Sequence, residues 1–357
     1  MSLFKDILKS DESLFRDEIA LDYDFLPKLL PYRENEQFYL ANCIKPLLQK
    51  RNGKNLLIHG LPGVGKTAAT RFVLRDLENE TEEVIPVYVN CWKKNSTFRI
   101  LVDICDQLGY KFVQNKRADE LIEEIKKIIN KKSAVFVLDE IDKLEELDFL
   151  YTILEEIYRK SIFVITNYKS WLNDLDERIK SRLTAELVEF RQYNAEETKG
   201  ILKQRLHYAF VPGVWEDEAF ELAAKRAAEL ADIRSGLYIL KEAGLIAEEK
   251  ASRKITVEHV KSAIEKLDEF SVKKSTDLQD DIKEILELVK KNSDSKIGDL
   301  FKIYKQNNGT ASYKTFQRKI KKLEDGKFIS TEKTAGGEEG NTTIIKYKGT
   351  TKKLTDF

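Results

Sequence analysis

The sequence predicts three successive cores: an α/β domain on a parallel sheet, an all-α domain, and a terminal unit of short helices closed by a β-hairpin. Three observations carry this. Apolar, β-branched runs of strand length alternate with amphipathic helical stretches as far as Tyr193. Beyond Tyr193 the strand runs stop and helical patterns follow one another. Past "SVKKSTD" the chain turns to short helices, a glycine-rich tip and a last strand. The length of 357 residues agrees with two or three cores, at roughly 100 to 150 residues each.

The strand runs are "NLLIHG", "VIPVYVN", "AVFVLDE" and "SIFVITN", with a fifth, "AELVEF", after Arg182. They are apolar on both faces, and the stretches between them, such as "ADELIEEIKKIIN", carry helical periodicity. That combination indicates parallel strands covered by helices on both sides. The helical patterns that follow are "NAEETKGILKQRL", "DEAFELAAKRAAEL", "IRSGLYILKEAGLIAEEK" and "TVEHVKSAIEKLDEF". Thr256 is placed to cap the last of them. Helices ending near "DGKFIS", the tip "TAGGEEGNT" and the strand "TIIKYK" then suggest a winged helix.

Composition narrows the function classes. The 61 lysines and arginines balance 61 aspartates and glutamates, so any basic footprint must be local. No apolar stretch approaches the ~20 residues that span a bilayer, and "MSLFKDILKSDES" is too acidic and broken for a signal peptide. A cytoplasmic protein without a membrane partner is expected. Cys43, Cys91 and Cys105 are widely spaced, as are His59, His207 and His259. Neither pattern supports structural zinc or disulfides, so reduced thiols are expected.

Gly60 through Thr67 spell G-x-x-x-x-G-K-T between a strand run and a helix start. Glycines let the backbone wrap a phosphate chain, with N–H groups and the positive end of a helix turned toward it. The candidate nucleotide contacts are Gly60, Pro62, Gly63, Val64, Gly65, Lys66, Thr67 and Ala68. Lys66 is expected at the β/γ-phosphates and Thr67 at Mg2+. Downstream, "AVFVLDEID" sets Asp139 and Glu140 at the carboxyl end of an apolar strand. Asp139 suits magnesium and Glu140 the base that orients the attacking water. A solvated strand end would explain one acid there. Two adjacent acids behind a P-loop favour hydrolysis of ATP or GTP.

Further stretches stand in a particular order: "LFRDEIALDYDFLPKLLPYRENE", "GLPGVGKT", "VNCWKKNSTFRIL", "FVLDEIDKL", "ITN", "LDERIKSRL" and "ADIRSGLYILKEAG". Through them the chain resembles AAA+ ATPases of the archaeal replication-initiator family, relatives of the eukaryotic origin-recognition and cell-division-cycle loading proteins. The resemblance covers nearly the whole chain. It implies an α/β AAA+ P-loop domain with a parallel sheet at 1–193, an all-α lid domain at 194–270 and a winged-helix domain at 276–357. An adenine-contacting segment is implied at 14–36, with Leu30, Pro31, Tyr32 and Arg33 against the base. ATP or ADP with Mg2+ is the implied cofactor set.

The same resemblance implies Asn167 as a sensor that positions water near the γ-phosphate, and Arg234 as the lid residue that reports that phosphate. It offers Arg182 first, and Arg178 second, as the arginine supplied in trans to a neighbour's nucleotide. "ADIRSG" departs from the family's commoner glycine-led version.

Between Phe301 and Leu323 lie six lysines and one arginine with no acidic residue. Within that stretch "SYKTFQRKIKKL" reads as a helix with Phe316, Ile320 and Leu323 inward. Tyr313, Lys314, Gln317, Arg318 and Lys321 then face outward. Lysines neutralise phosphates, while Gln317 and Arg318 suit base edges in a major groove. The wing tip carries Glu338 and Glu339 where many relatives carry arginine or aromatic residues, and acids repel a phosphate-lined groove. Lys333, Lys346 and Lys348 on the flanking strands remain candidates to grip the backbone.

The leading expectation is an ATP-regulated, origin-binding protein that helps recruit or load the replicative helicase. Its partners would be double-stranded DNA and other initiator protomers or paralogues. ATP hydrolysis is expected to be slow and used as a switch. The alternatives are a plasmid-type or regulatory paralogue controlling transcription or copy number, and a signalling NTPase with a protein-binding winged helix.

Overall fold

The structure, a computed structural model, describes residues 13–144, 146–276, 280–307, 309, 311–325, 328–334 and 342–347. The chain divides into two units, Met1–Glu265 and Lys266–Phe357. In the first, helix α1 (Glu34–Leu48) leads into β1 (Leu56–His59), and α2 (Lys66–Glu80) follows directly. Next come β2 (Val84–Asn90), α3 (Thr97–Gln107), α4 (Ala118–Ile129), β3 (Ser133–Asp139), α5 (Asp148–Glu156), β4 (Lys160–Ile165), α6 (Glu177–Leu183) and β5 (Glu186–Glu189). All five expected strand runs are strands.

They pair in parallel in the order β2-β3-β4-β1-β5. The sheet has helices on both faces, which is why these strands read as continuous apolar runs. Leu57, Val87, Phe136 and Val164 pack with Ile100, Leu121, Phe149 and Ile179 of α3 to α6. Their strand neighbours Leu56, Val135, Val137 and Phe163 point the other way, onto Leu40, Ile44, Ala69 and Val73 of α1 and α2. Every residue of β3 is buried, so its last residue, Asp139, carries a carboxylate to the edge of a dry core.

After β5 the strands end and four helices follow: α7 (Ala195–Ala209), α8 (Asp217–Leu230), α9 (Ile233–Glu249) and α10 (Val257–Thr276). Asn194 and Glu197 form a reciprocal cap on α7, and the Asp232 side chain accepts from the Arg234 backbone N–H at the start of α9. The division between the two units falls within α10.

The N-terminal segment lies on these helices. Arg16 and Asp17 donate their backbone N–H groups to Ala209, and the Phe15 ring stands 4.6 Å from that of Phe210. Its carbonyls are then taken up by side chains from elsewhere. Arg205 of α7 donates to Ala20 and Phe25, Arg75 of α2 to Pro27, and Gln37 of α1 to Leu30. A segment with little regular structure is thereby held between the sheet domain and the helical domain.

The second unit contains α11 (Asp280–Lys291), β6 (Ser295–Lys296), α12 (Ile297–Gln306), α13 (Tyr313–Asp325), β7 (Ile329–Thr334) and β8 (Thr342–Tyr347). The strands form an antiparallel sheet in the order β6-β8-β7. Ile285, Val289, Leu300, Tyr304, Phe316, Ile320, Leu323 and Ile345 make its core. The unit is a winged helix, as the sequence predicts.

Candidate functional site

The P-loop joins β1 to α2, and its three glycines occupy the conformations that only glycine adopts cheaply. Gly60, Gly63 and Gly65 have φ of 147°, 79° and 88°. A side chain at Gly65 would bring its Cβ to 2.6 Å from the Tyr193 hydroxyl, so a strained turn and a close approach coincide there.

The cleft in front of this loop is lined by thirteen of the residues singled out from sequence: Leu30, Pro31, Pro62, Gly63, Val64, Gly65, Lys66, Thr67, Ala68, Asp139, Glu140, Asn167 and Arg234. They come from the N-terminal segment, the loop, the ends of β3 and β4, and α9.

Lys66 is buried, and its ammonium donates to the carbonyls of Gly60 at 2.7 Å and Leu61 at 2.9 Å, and to Asn167 Oδ1 at 2.9 Å. Burial pulls its pKa down to about 8, against the opposing pull of Asp139 and Glu140. Thr67 Oγ1 donates to Asp139 Oδ2 at 2.6 Å, and the Tyr88 hydroxyl donates to the same oxygen at 2.8 Å. A threonine that donates its hydrogen this way keeps its lone pairs for a cation.

Glu140 sits in the left-handed region at φ 58°, and its buried Oε2 has no hydrogen-bond partner. Its pKa is raised, first by burial and then by Asp139 and Asp142. A carboxylate with an unused oxygen and a raised pKa is suited to accept a proton. Glycines that leave room for phosphates, a hard hydroxyl and carboxylate pair, and an orphaned carboxylate oxygen together fit a magnesium nucleotide. Among the described residues no group of three or more His, Cys, Asp or Glu could hold a metal by itself. The remaining ligands would therefore be phosphate oxygens and water.

Four expected positions fall elsewhere, and Gly60 contributes through its carbonyl on Lys66. Tyr32 and Arg33 do not line the cleft. The chain reverses at Tyr32, φ 65°, and Arg33 runs behind the P-loop, fully buried. Its guanidinium donates to Val64 O at 3.0 Å and to Arg191 O, and lies 3.9 Å from the Tyr193 ring centroid. The apolar side of the cleft is formed by Leu26, Pro27, Leu30, Pro31, Ile201 and Leu237.

Arg178 and Arg182 stand on α6, outside this chain's own cleft. Arg178 pairs with Asp176 at 3.1 Å and Arg182 pairs with Glu155, while both lie over the Tyr151 ring.

Sequence reasoning missed Tyr23, Tyr88, Arg71, Tyr193 and Arg205. Of these, Tyr23, Arg71, Tyr193 and Arg205 line the cleft, while Tyr88 reaches Asp139 from β2. The placement of Tyr88 two residues before the end of β2, beside the strand that ends in Asp139, was the one available signal.

In the winged helix, Phe316, Ile320 and Leu323 are buried, and Tyr313, Lys314, Gln317, Arg318 and Lys321 are exposed, as expected. Part of the Tyr313 ring is already used, edge-on to Phe301 at 5.0 Å. Lys333 lies on β7 opposite Thr343, with its side chain outside the described residues. Glu338, Glu339 and Lys348 also lie outside them. Lys346 stands 3.8 Å from Asp294.

Both the sheet domain and the helical domain are similar to known proteins. The Cdc6 AAA+ ATPase-type lid domain matches residues 199–265, and the AAA domain matches residues 49–170. The chain is 30% identical over 357 residues to ORC1-type DNA replication protein 2 of Methanosarcina mazei, covering 96% of this chain and 95% of the relative. It is 38% identical over 267 residues to ORC1-type DNA replication protein 1 of Sulfurisphaera tokodaii, covering 71% and 67%. The solved structure of the Aeropyrum pernix ORC1 protein in complex with DNA superposes with a TM-score of 0.69 at 29% identity, over 94% of both chains.

Two predictions follow from the cleft. Lys66→Ala should abolish ATP binding, whereas Glu140→Gln should keep binding and block hydrolysis. Titration with labelled ATP separates the two, and equal loss of affinity in both refutes the assignment. The second concerns pH. Phosphate favours the charged ammonium, so binding raises the pKa of Lys66 from about 8 and takes up a proton wherever the free protein has lost it. ATP affinity should therefore be level near pH 7 and fall as pH rises through 8, by up to roughly tenfold per unit. A flat titration profile to about pH 9.5 would show that the Lys66 charge is not what the phosphates meet.

Proposed function

Because the chain belongs to the ORC1-type DNA replication protein family and is an AAA+ ATPase, we propose that nucleotide in its cleft switches an origin-binding initiator that recruits the replicative helicase. The observation that carries this reading is the convergence of sheet and lid on one void. Lys66, Asp139, Glu140 and Asn167 come from the sheet domain, and Arg234 comes from the first turn of α9.

Each group would change partner when the phosphates arrive. The Lys66 ammonium would leave the Gly60 and Leu61 carbonyls for the β/γ-oxygens, which frees Asn167 to orient water. Thr67 and Asp139 would hold Mg2+, whose charge offsets that of the phosphates when bound. Glu140 would take the proton of the attacking water through its unpartnered oxygen. Arg234 would meet the γ-phosphate from the lid side, so ATP and ADP would differ in what ties lid to sheet. Such a difference in contacts is what a two-state switch requires. Arg182, with Arg178 as second choice, would serve a neighbouring protomer or paralogue after exchanging its own carboxylate for that neighbour's phosphate.

Duplex DNA is the proposed partner of the second unit. The exposed face of α13 supports this, as does a relative of 29% identity solved in complex with DNA. Lys314 and Lys321 would neutralise phosphates, and Gln317 and Arg318 would read base edges. Residues 276–357 carry 17 Lys and Arg against 13 Asp and Glu, so the positive surplus is local to this part of the chain.

Mapping the bound genomic sites tests the initiator reading. Clustering at replication starts is expected, and scatter across promoters would point to a regulator. At the residue level, replacing both Lys314 and Lys321 with alanine should flatten the slope of log affinity against log salt by up to about two units on every duplex. Arg318→Ala should instead lower discrimination between sites by about 1 to 3 kcal/mol. Equal weakening of specific and random duplexes by Arg318→Ala would move base readout off this helix.

A further inference from the structure

Asp139 accepts two hydrogen bonds on the same oxygen, and only one of the donors belongs to the P-loop. Thr67 Oγ1 reaches Oδ2 at 2.6 Å and Tyr88 Oη reaches it at 2.8 Å. Neither bond uses Oδ1, so the pair sets the rotation of the carboxylate and leaves its second oxygen to other partners.

Tyr88 is itself held in place. On β2 it lies in register with Val137, two residues before the Asn90–Asp139 pair. Strand β2 is an edge of the sheet. There the Gln107 side chain bonds both backbone groups of Tyr88, accepting from N–H at 3.0 Å and donating to C=O at 2.8 Å. Arg71, which lines the cleft, lies over the tyrosine ring at 5.7 Å. Burial and the Asp139 charge raise the phenol pKa, which keeps it a donor across the physiological range.

We propose that Tyr88 is a positioning residue for the metal that accompanies nucleotide, acting by holding the Asp139 carboxylate in its ligand orientation. The inference rests on the nucleotide site proposed above. Partners that orient a metal-binding carboxylate typically account for about 10- to 100-fold in metal affinity or activity. Tyr88→Phe removes only the hydroxyl and keeps the ring against Arg71.

The test is titration of labelled ATP into the full-length chain, once with excess Mg2+ and once with EDTA, followed by a Mg2+ titration at fixed nucleotide. Tyr88→Phe should bind ATP as the wild type does in EDTA. It should need about tenfold more Mg2+, or higher, to reach half of the magnesium-dependent gain in affinity. A Mg2+ titration that superposes on the wild type overturns the proposal. Equal loss of affinity with and without Mg2+, or failure to fold, overturns it in favour of a purely structural role. The Tyr88→Leu variant guards against a packing artefact: it should shift the magnesium requirement at least as far, and a wild-type requirement there overturns the proposal as well. A wild-type chain that binds no ATP in either condition sinks the site reading itself, a failure visible before any variant is made.

Discussion

A fully buried guanidinium organises the nucleotide end of this molecule. A charge with no access to water must spend its hydrogen bonds on protein acceptors or become very costly. Arg33 spends them on the carbonyls of Tyr32, Val64 and Arg191 and on the Glu36 carboxylate. The P-loop, the entry to α1 and the turn after β5 are therefore fixed to one planar group. Lys66 does the same from the other side, drawing in the carbonyls of Gly60 and Leu61. A loop whose carbonyl oxygens are bonded to cations behind and beneath it has its amide edge left to face an anion. The cradle is thus shaped by positive charges that hold the loop itself, one of which the phosphates would then claim.

The parallel sheet supplies the second constraint. Strands β1, β3 and β4 are almost wholly buried, so a charged side chain finds open space at a strand end, and β3 and β4 end next to the loop after β1 in the order β3-β4-β1. Asp139 and Asn167 meet Thr67 and Lys66 because of that order. Arg234 reaches the same space from the helical domain, while the N-terminal segment, pinned by Arg205 and Arg75, closes the side where the base would lie.

Much of this could be read in the sequence because its signals are local. Strand runs, the glycine spacing, paired acids after an apolar strand and the inward triad Phe316, Ile320 and Leu323 all express periodicity or a turn within a few residues. What a local pattern does not encode is depth. Leu30 through Arg33 are adjacent, and resemblance alone placed all four against the base, whereas Leu30 and Pro31 line the cleft and, after a left-handed residue at Tyr32, Arg33 runs behind the loop. Arg205 and Tyr88 were invisible for a related reason. Each acts across a sequence separation that no local pattern encodes: 180 residues to Phe25 and 51 to Asp139. On α6 the two arginines stand outside the cleft in helix-surface ion pairs with Asp176 and Glu155.

The Gln107 amide bears on more than Tyr88. Strand β2 forms one margin of the sheet, and the outward peptide groups of such a margin invite a strand from another molecule to zip on. Here a side-chain amide copies the donor and acceptor of an adjoining peptide unit and occupies both positions. Any intruding chain would have to displace it from the middle of that edge. One glutamine from α3 therefore fills the two edge positions at Tyr88 that a further strand would need, and it does so without lengthening the sheet.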